Sequence, residues 1–382
     1  MDEELGYLSA TEMVARYRTR ELSPVEVARA VLARVARVNP VINAFCLVDA
    51  DGALTTAHDS ERRWRDGQPR GPLDGVPVSV KDLLLTRGWP TLRGSRTIDP
   101  AGPWTEDAPA VARLRESGAV IIGKTTTPEY GWKGVTDSPL TGLTRNPWNL
   151  ARTPGGSSGG AAAQLAAGLG PLAIGTDGGG SIRIPSAFTG VTGIKPSFGR
   201  VPAWPLSPFG TVAHVGPMAR TVADCALMLN VLARPDARDW HALPDAGTDW
   251  TAGLNAGVRG MRIAYSPRLG YVRRVDADVE ARVAEAVRVF GTLGATVEQV
   301  DPGFADCGEL FWRHWTIGAY NGLRHLPPAK HALLEPALQE TYRAGERELL
   351  TSYLDAVAAR AALGTRSEEH TSELQSQFRI SY

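Results

Sequence analysis

Polar and apolar positions along the chain change period several times, and each change marks an element. Ser9 with Glu12 and Ser23 with Glu26 form two capping boxes, the second with Pro24 at the first helical position. Val27, Val31, Val35 and Val38 then recur at helical spacing. They predict a helix over 24–38 that stops at Asn39-Pro40, because proline pushes the residue before it out of the helical region. Over 76–84 the period drops to two: Val76, Val78 and Val80 share one face while Ser79 and Lys81 share the other, so Lys81 ends a core strand. Further along, the pattern predicts helices over 108–116, 158–167, 221–232 and 279–293, and strands over 119–122, 172–174 and 295–300. This alternation indicates an α/β fold, a central mixed, largely parallel sheet flanked by helices on both faces. Residues 234–259, rich in Pro, Asp and Gly, read as a long surface loop.

Composition narrows the function classes. The 382 residues carry 41 basic and 41 acidic side chains, a balance that does not suggest a nucleic-acid partner. At 43% hydrophobic and 21% charged, the chain has the makeup of a soluble globular protein. Cys46, Cys225 and Cys307 are far apart and odd in number, which fits neither a disulfide framework nor a thiolate metal site, and a reducing cytoplasm is expected. The acidic start lacks the layout of a signal peptide. The apolar stretch 161–175 is too short to cross a membrane and is interrupted by Gln164, Gly168, Gly170 and Pro171. Only five of the basic residues are lysine, at positions 81, 124, 133, 195 and 330, so each draws attention.

From Arg366 the composition breaks: the last 17 residues contain no Ala, Gly, Pro or Val. Reverse-translated, this stretch resembles a short-read sequencing adapter followed by a barcode. We therefore expect residues 366–382 to be a non-native tail and residues 7–365 to form one domain, incomplete at its C-terminus.

Three motifs invite a chemical reading. Residues 118–125, GAVIIGKT, match the phosphate-loop pattern, but the variable positions are themselves the apolar strand, and Pro128 falls where the following helix should begin. Lys124 then reads as a loop residue at a strand end. Residues 155–159, GGSSG, match the nucleophile elbow of α/β-hydrolases, yet the preceding NPWNLARTP has no strand pattern. His214, His241, His314, His325 and His331 follow it, so a histidine triad is not ruled out by count. The third constellation joins Lys81 to two Gly/Ser loops, 155–160 and 177–183, each pinned against apolar elements. Glycines there let backbone N–H groups approach a ligand, as an oxyanion requires.

At these residues the sequence resembles the amidase signature family. The run 155–196, GGSSGGAAAQLAAGLGPLAIGTDGGGSIRIPSAFTGVTGIKP, is similar to the family's defining block, and VPVSVKDLLLTRG, GAVIIGKTTTPEYG and NPWN look like further family segments. The resemblance implies a Ser-Ser-Lys triad with Ser181 as nucleophile, Ser157, preceded by a cis peptide, as the bridging serine, and Lys81 as base. It implies an oxyanion hole from the N–H groups of Gly178, Gly179, Gly180 and Ser181. Lysine serves as base only when neutral, so burial must lower its pKa. Ser158, Asp177 and Arg183 are expected to support this machinery, Asp177 and Arg183 through each other or nearby backbone. No cofactor and no metal are implied. The expected substrate is a small linear amide, hydrolysed to a carboxylate and ammonia or an amine, and a homodimer is compatible with this reading. Two alternatives stand beside it: the glutaminase-type component of glutamyl-tRNA(Gln) amidotransferase, its A chain, which would need partner subunits, and an inactive truncated fragment.

Overall fold

The computed structural model describes residues 2–373, which separate into two compact units. The first comprises Met1–Ala252 with Gly322–Glu340, and the second comprises Gly253–Asn321 with the chain from Thr341.

The first unit is built on a six-stranded mixed sheet: β1 (Phe45–Val48), β2 (Pro77–Lys81), β3 (Val120–Thr125), β4 (Leu172–Asp177), β5 (Thr192–Gly193) and β6 (His214–Ala219). Their spatial order is β1-β3-β2-β4-β6-β5. β3, β2 and β4 run parallel, and the remaining pairings are antiparallel. Strand β2 lies in the middle of the parallel group, and all five of its residues are buried. That burial covers both faces of the strand, the one with Val78 and Val80 and the one with Ser79 and Lys81, and it makes the lysine at its end exceptional.

Helix starts follow the caps read from sequence, but one stop does not. Ser9 and Ser23 both complete their capping boxes. The second helix runs past Asn39-Pro40 to Ile42, so its expected stop was placed too early. Pro40 forfeits one N–H donor to the turn before it, and burial of Ile42 in the main core nevertheless carries the helix on to Asn43, whose left-handed backbone ends it. Strand β6 was not legible at all, because HVGPMA contains both Gly and Pro. Pairing on both sides holds it: Ile174 faces Pro217, and Gly193 faces Met218.

Helix Gly159–Ala166 packs on β2, β4 and β6, and begins where the chain crosses Ala44 and Thr126. Its opening glycines are needed for that crossing. A Cβ at Gly160 would meet Ala44 O and Thr126 N at 2.5 Å and press on Thr126 Oγ1.

In the second unit, parallel strands Arg262–Tyr265 and Thr296–Gln299 are joined by helix Ala277–Thr292, none of which is buried. The loop 234–259 contains no helix or strand. Helix Leu350–Glu373 continues through the start of the segment read as non-native, and the rest of that segment, 374–382, lies outside the described residues.

Gly160→Ala is expected to lower stability by about 1–3 kcal/mol, since backbone atoms of neighbouring segments must give way. Gly291→Ala, in a helix with nothing within 4 Å of the added methyl, is expected to gain about 0.5–1 kcal/mol. Urea unfolding of the two variants measures both signs.

Candidate active site

Parallel pairing brings the C-terminal ends of β2 and β4 side by side, with Val80 opposite Ile174. Lys81 closes one strand, and Thr176 and Asp177 close the other. The loop before helix Gly159–Ala166 lies over this edge, and the Ser158 N–H donates to the Ser181 carbonyl at 3.0 Å, which ties the two Gly/Ser loops together. The Gly156–Ser157 peptide is cis.

The Lys81 side chain is fully buried. Its Nζ lies 2.7 Å from Ser157 Oγ, 2.9 Å from Ser158 Oγ and 2.9 Å from Thr176 Oγ1. Among the described residues no carboxylate bonds to it. Burial therefore holds the Lys81 amine well below the ordinary lysine value, and the charge of Asp177 opposes this only in part. A neutral amine has two N–H donors and one lone pair, which matches three hydroxyl neighbours. Ser158 donates its single proton to the Thr176 carbonyl, 3.2 Å away, and so can only accept from Lys81. Ser157 makes no other hydrogen bond among the described residues, so its proton is free to pass to the Lys81 lone pair.

Asp177 organises the loop that carries Ser181. Its carboxylate, fully buried, accepts from the N–H groups of Gly180 at 2.8 Å, Ile182 at 3.0 Å and Arg183 at 3.3 Å. The Arg183 guanidinium grips the same carboxylate at 3.0 and 2.9 Å. Burial alone would raise the Asp177 pKa, but Arg183 and these backbone donors outweigh it and hold the carboxyl below its usual range. The Gly180 backbone has φ of 115°, open to glycine and hardly to other residues, and this turns the loop back over Asp177.

Of the four expected oxyanion donors, the Gly180 N–H is the one engaged by Asp177. The N–H groups of Gly178, Gly179 and Ser181 make no hydrogen bond to a described residue and keep that capacity.

The elbow reading finds no partner. No histidine bonds Ser157, Ser158 or Ser181 among the described residues. His214 Nδ1 faces the carbonyls of Asp177 at 3.2 Å and Val212 at 2.9 Å, and burial pushes its pKa down to about 4. Lys124 is likewise not a loop residue. It lies within β3, fully buried, with Nζ 2.9 Å from Asp82 Oδ1 and bonded to the carbonyls of Leu84 and Pro90 and to Thr91 Oγ1. Its neighbours are protein groups, which disposes of the phosphate-loop reading. Among the described residues no His/Cys/Asp/Glu cluster could hold a metal ion.

A family model described as Amidase matches residues 26–380. The chain belongs to the amidase signature family. It is 44% identical over 312 residues to an acylamidase of Rhodococcus erythropolis, covering 81% of this chain and 65% of that protein. It is 43% identical over 303 residues to the A chain of the glutamyl-tRNA(Gln) amidotransferase of Myxococcus xanthus, covering 78% of this chain and 61% of that one. The chain thus spans less than two-thirds of the length of these relatives. Among solved structures, a bacterial aryl acylamidase of the amidase signature family superposes with a TM-score of 0.87 at 33% identity, covering 95% of this chain and 77% of its own. A 6-aminohexanoate cyclic dimer hydrolase also superposes with a TM-score of 0.87, at 27% identity, covering 96% of this chain and 78% of that one.

Within this amidase fold, sequence reasoning missed Thr176 as a neighbour of Lys81. Its signal was present: Leu172, Ile174 and Thr176 continue one alternating face, and the strand was ended too soon, at residue 174.

A lysine whose pKa burial lowers leaves a thermodynamic signature. Unfolding hydrates Lys81, which then takes up a proton at any pH below about 10.4. The unfolded state binds the extra proton between the depressed folded value and that limit, so Lys81 makes stability rise with pH across the window. The unfolding free energy of the wild type relative to Lys81→Met is expected to increase between about pH 7 and 10, by at most about 1.4 kcal/mol per unit. A flat difference in urea titrations would show a lysine that is charged in the fold.

Proposed function

We propose that the chain is an amidase that cleaves the C–N bond of a small linear amide through an acyl-enzyme on Ser181. The observation that carries this reading is the Lys81 amine, buried among three hydroxyls without a bonded carboxylate. Ser181 Oγ attacks the substrate carbonyl carbon. Its proton passes through Ser157 Oγ to Lys81 Nζ. The oxyanion is met by the N–H groups of Gly178, Gly179 and Ser181, which Asp177 and Arg183 hold in place by fixing the loop. Collapse of the tetrahedral intermediate breaks the C–N bond, and the proton returns from Lys81 through Ser157 to the leaving nitrogen. Water then attacks the ester by the same route, releasing the carboxylate and restoring Ser181.

The acylamidase relative supports this reading. The amidotransferase relatives support a second one, in which the same centre releases ammonia from glutamine for partner subunits; glutaminase activity that depends on added partner subunits would favour it. Among the described residues no helix is long and apolar enough to cross a membrane. We place the enzyme in the cytoplasm on the strength of its thiol pattern. The non-native origin of residues 366–382 is likewise our proposal, and amplified genomic DNA of the locus tests it.

Ser181→Ala is expected to abolish covalent labelling by a fluorophosphonate. Labelling lost instead in Ser157→Ala and retained in Ser181→Ala would move the nucleophile to the first loop. Lys81→Arg is expected to cost about as much rate as Lys81→Ala, ~10²–10⁴-fold, because a guanidinium stays protonated. Steady-state rates on an anilide decide it, and a Lys81→Arg chain that kept most of its rate would make Lys81 a fixed charge.

A further inference from the structure

Beside the site stands a cation with no protein partner among the described residues. Arg93 adopts a left-handed backbone with φ of 54°, uncommon outside glycine. Two contacts hold the chain in that turn. The Arg93 carbonyl accepts from the Tyr130 N–H at 2.7 Å, and the next residue's Gly94 N–H donates to Asp82 Oδ2 at 3.4 Å. Asp82 follows Lys81 directly. Tyr130 precedes Gly131, where a Cβ would stand 3.3 Å from Ser157 Oγ and against Leu83. Arg93 is therefore fastened between the segment that carries Lys81 and the segment that flanks Ser157.

Its guanidinium makes no hydrogen bond, ion pair or ring contact among the described residues. The side chain is half-buried, and its unpartnered nitrogens still touch solvent. Acceptors in this neighbourhood are already engaged. Asp82 Oδ1 is held by Lys124 at 2.9 Å. Glu129 accepts from Ser95 Oγ at 2.7 Å and from the Glu335 N–H at 2.8 Å. The Tyr130 hydroxyl is paired with Thr97 Oγ1 at 2.6 Å. Burial acts to lower the Arg93 pKa, while Tyr130 and Asp82 oppose it. Arginine nevertheless stays protonated, so a partly dehydrated charge persists here without a bonded counter-ion.

A guanidinium fork matches a carboxylate with two parallel hydrogen bonds. Building on the amidase reading, we propose that Arg93 is a specificity residue of this site and that the substrate is an amide carrying a free carboxylate, which Arg93 binds while the amide carbonyl faces Ser181. The turn fixes the backbone from which the side chain extends, and the engagement of Asp82 and Glu129 with other partners leaves it available.

The test uses the full chain and two acid/ester pairs: glutaric mono-4-nitroanilide with its methyl ester, and 4-acetamidobenzoate with its methyl ester. Release of the arylamine is followed. In at least one pair the acid is expected to exceed its ester in kcat/KM by about tenfold or more, chiefly through KM. Arg93→Met is expected to abolish that preference while changing the ester's kcat/KM by less than about threefold, and Arg93→Lys to restore part of it. Equal treatment of acid and ester in both pairs, or an equal loss on both in Arg93→Met, overturns the proposal and leaves the amidase reading intact. Failure of the amidase reading shows differently, as no turnover of any of the four compounds above that of Ser181→Ala. In that event calorimetry of the two acids with the Ser181→Ala chain decides: binding that Arg93→Met weakens about tenfold upholds the proposal, and binding that is absent or indifferent to Arg93 overturns it.

Discussion

Everything at this site depends on one electrostatic constraint, the burial of the Lys81 amine where, among the described residues, no bonded carboxylate neutralises it. An ammonium in that position would lose its hydration and gain only hydroxyl dipoles in return. Burial acts against that proton and lowers the amine's pKa, which is what a base at this position would require. The sheet supplies the burial, since β2 is enclosed by β3 and β4 and all its residues are covered. The first Gly/Ser loop, through Ser157 and Ser158, and β4, through Thr176, supply hydroxyls in place of charge.

Lys124 provides the contrast within the same sheet. It too is fully buried, one strand away from Lys81, and burial again acts to lower its pKa. Here Asp82 lies within 2.9 Å, and the carbonyls of Leu84 and Pro90 take further protons. A paired and hydrogen-bonded ammonium is a staple for the loop after β2, and its proton has nowhere to go. Two lysines of one sheet thus acquire different chemistry from their first neighbours alone.

Asp177 plays the organising part on the other strand. Its carboxylate gathers three backbone N–H groups and one guanidinium, which shapes the turn at Gly180 and fixes Ser181 relative to the sheet. The arrangement makes Asp177 too well satisfied to claim the Lys81 proton. It also engages the Gly180 N–H, one of the four expected oxyanion donors.

Local physics made much of this readable in the chain itself. Helix starts at Ser9 and Ser23 follow from capping and the β2 strand from alternation, because each depends on residues within a few positions of one another, whereas the association of Lys81 with the two distant Gly/Ser loops was implied by the family resemblance. Tertiary structure decided the rest. Pro40 lies inside a helix because Ile42 is buried, and β6 forms through its neighbours despite Gly216 and Pro217. Lys124 became a buried ion pair because β3 passes beside Asp82, and Thr176 reached Lys81 because β4 runs parallel to β2 and extends to Asp177. Among the described residues Arg93 has no bonded counter-ion, the nearby Asp82 and Glu129 being engaged elsewhere. Each of these is set by a contact across many residues of sequence, where no local period or motif carries a signal.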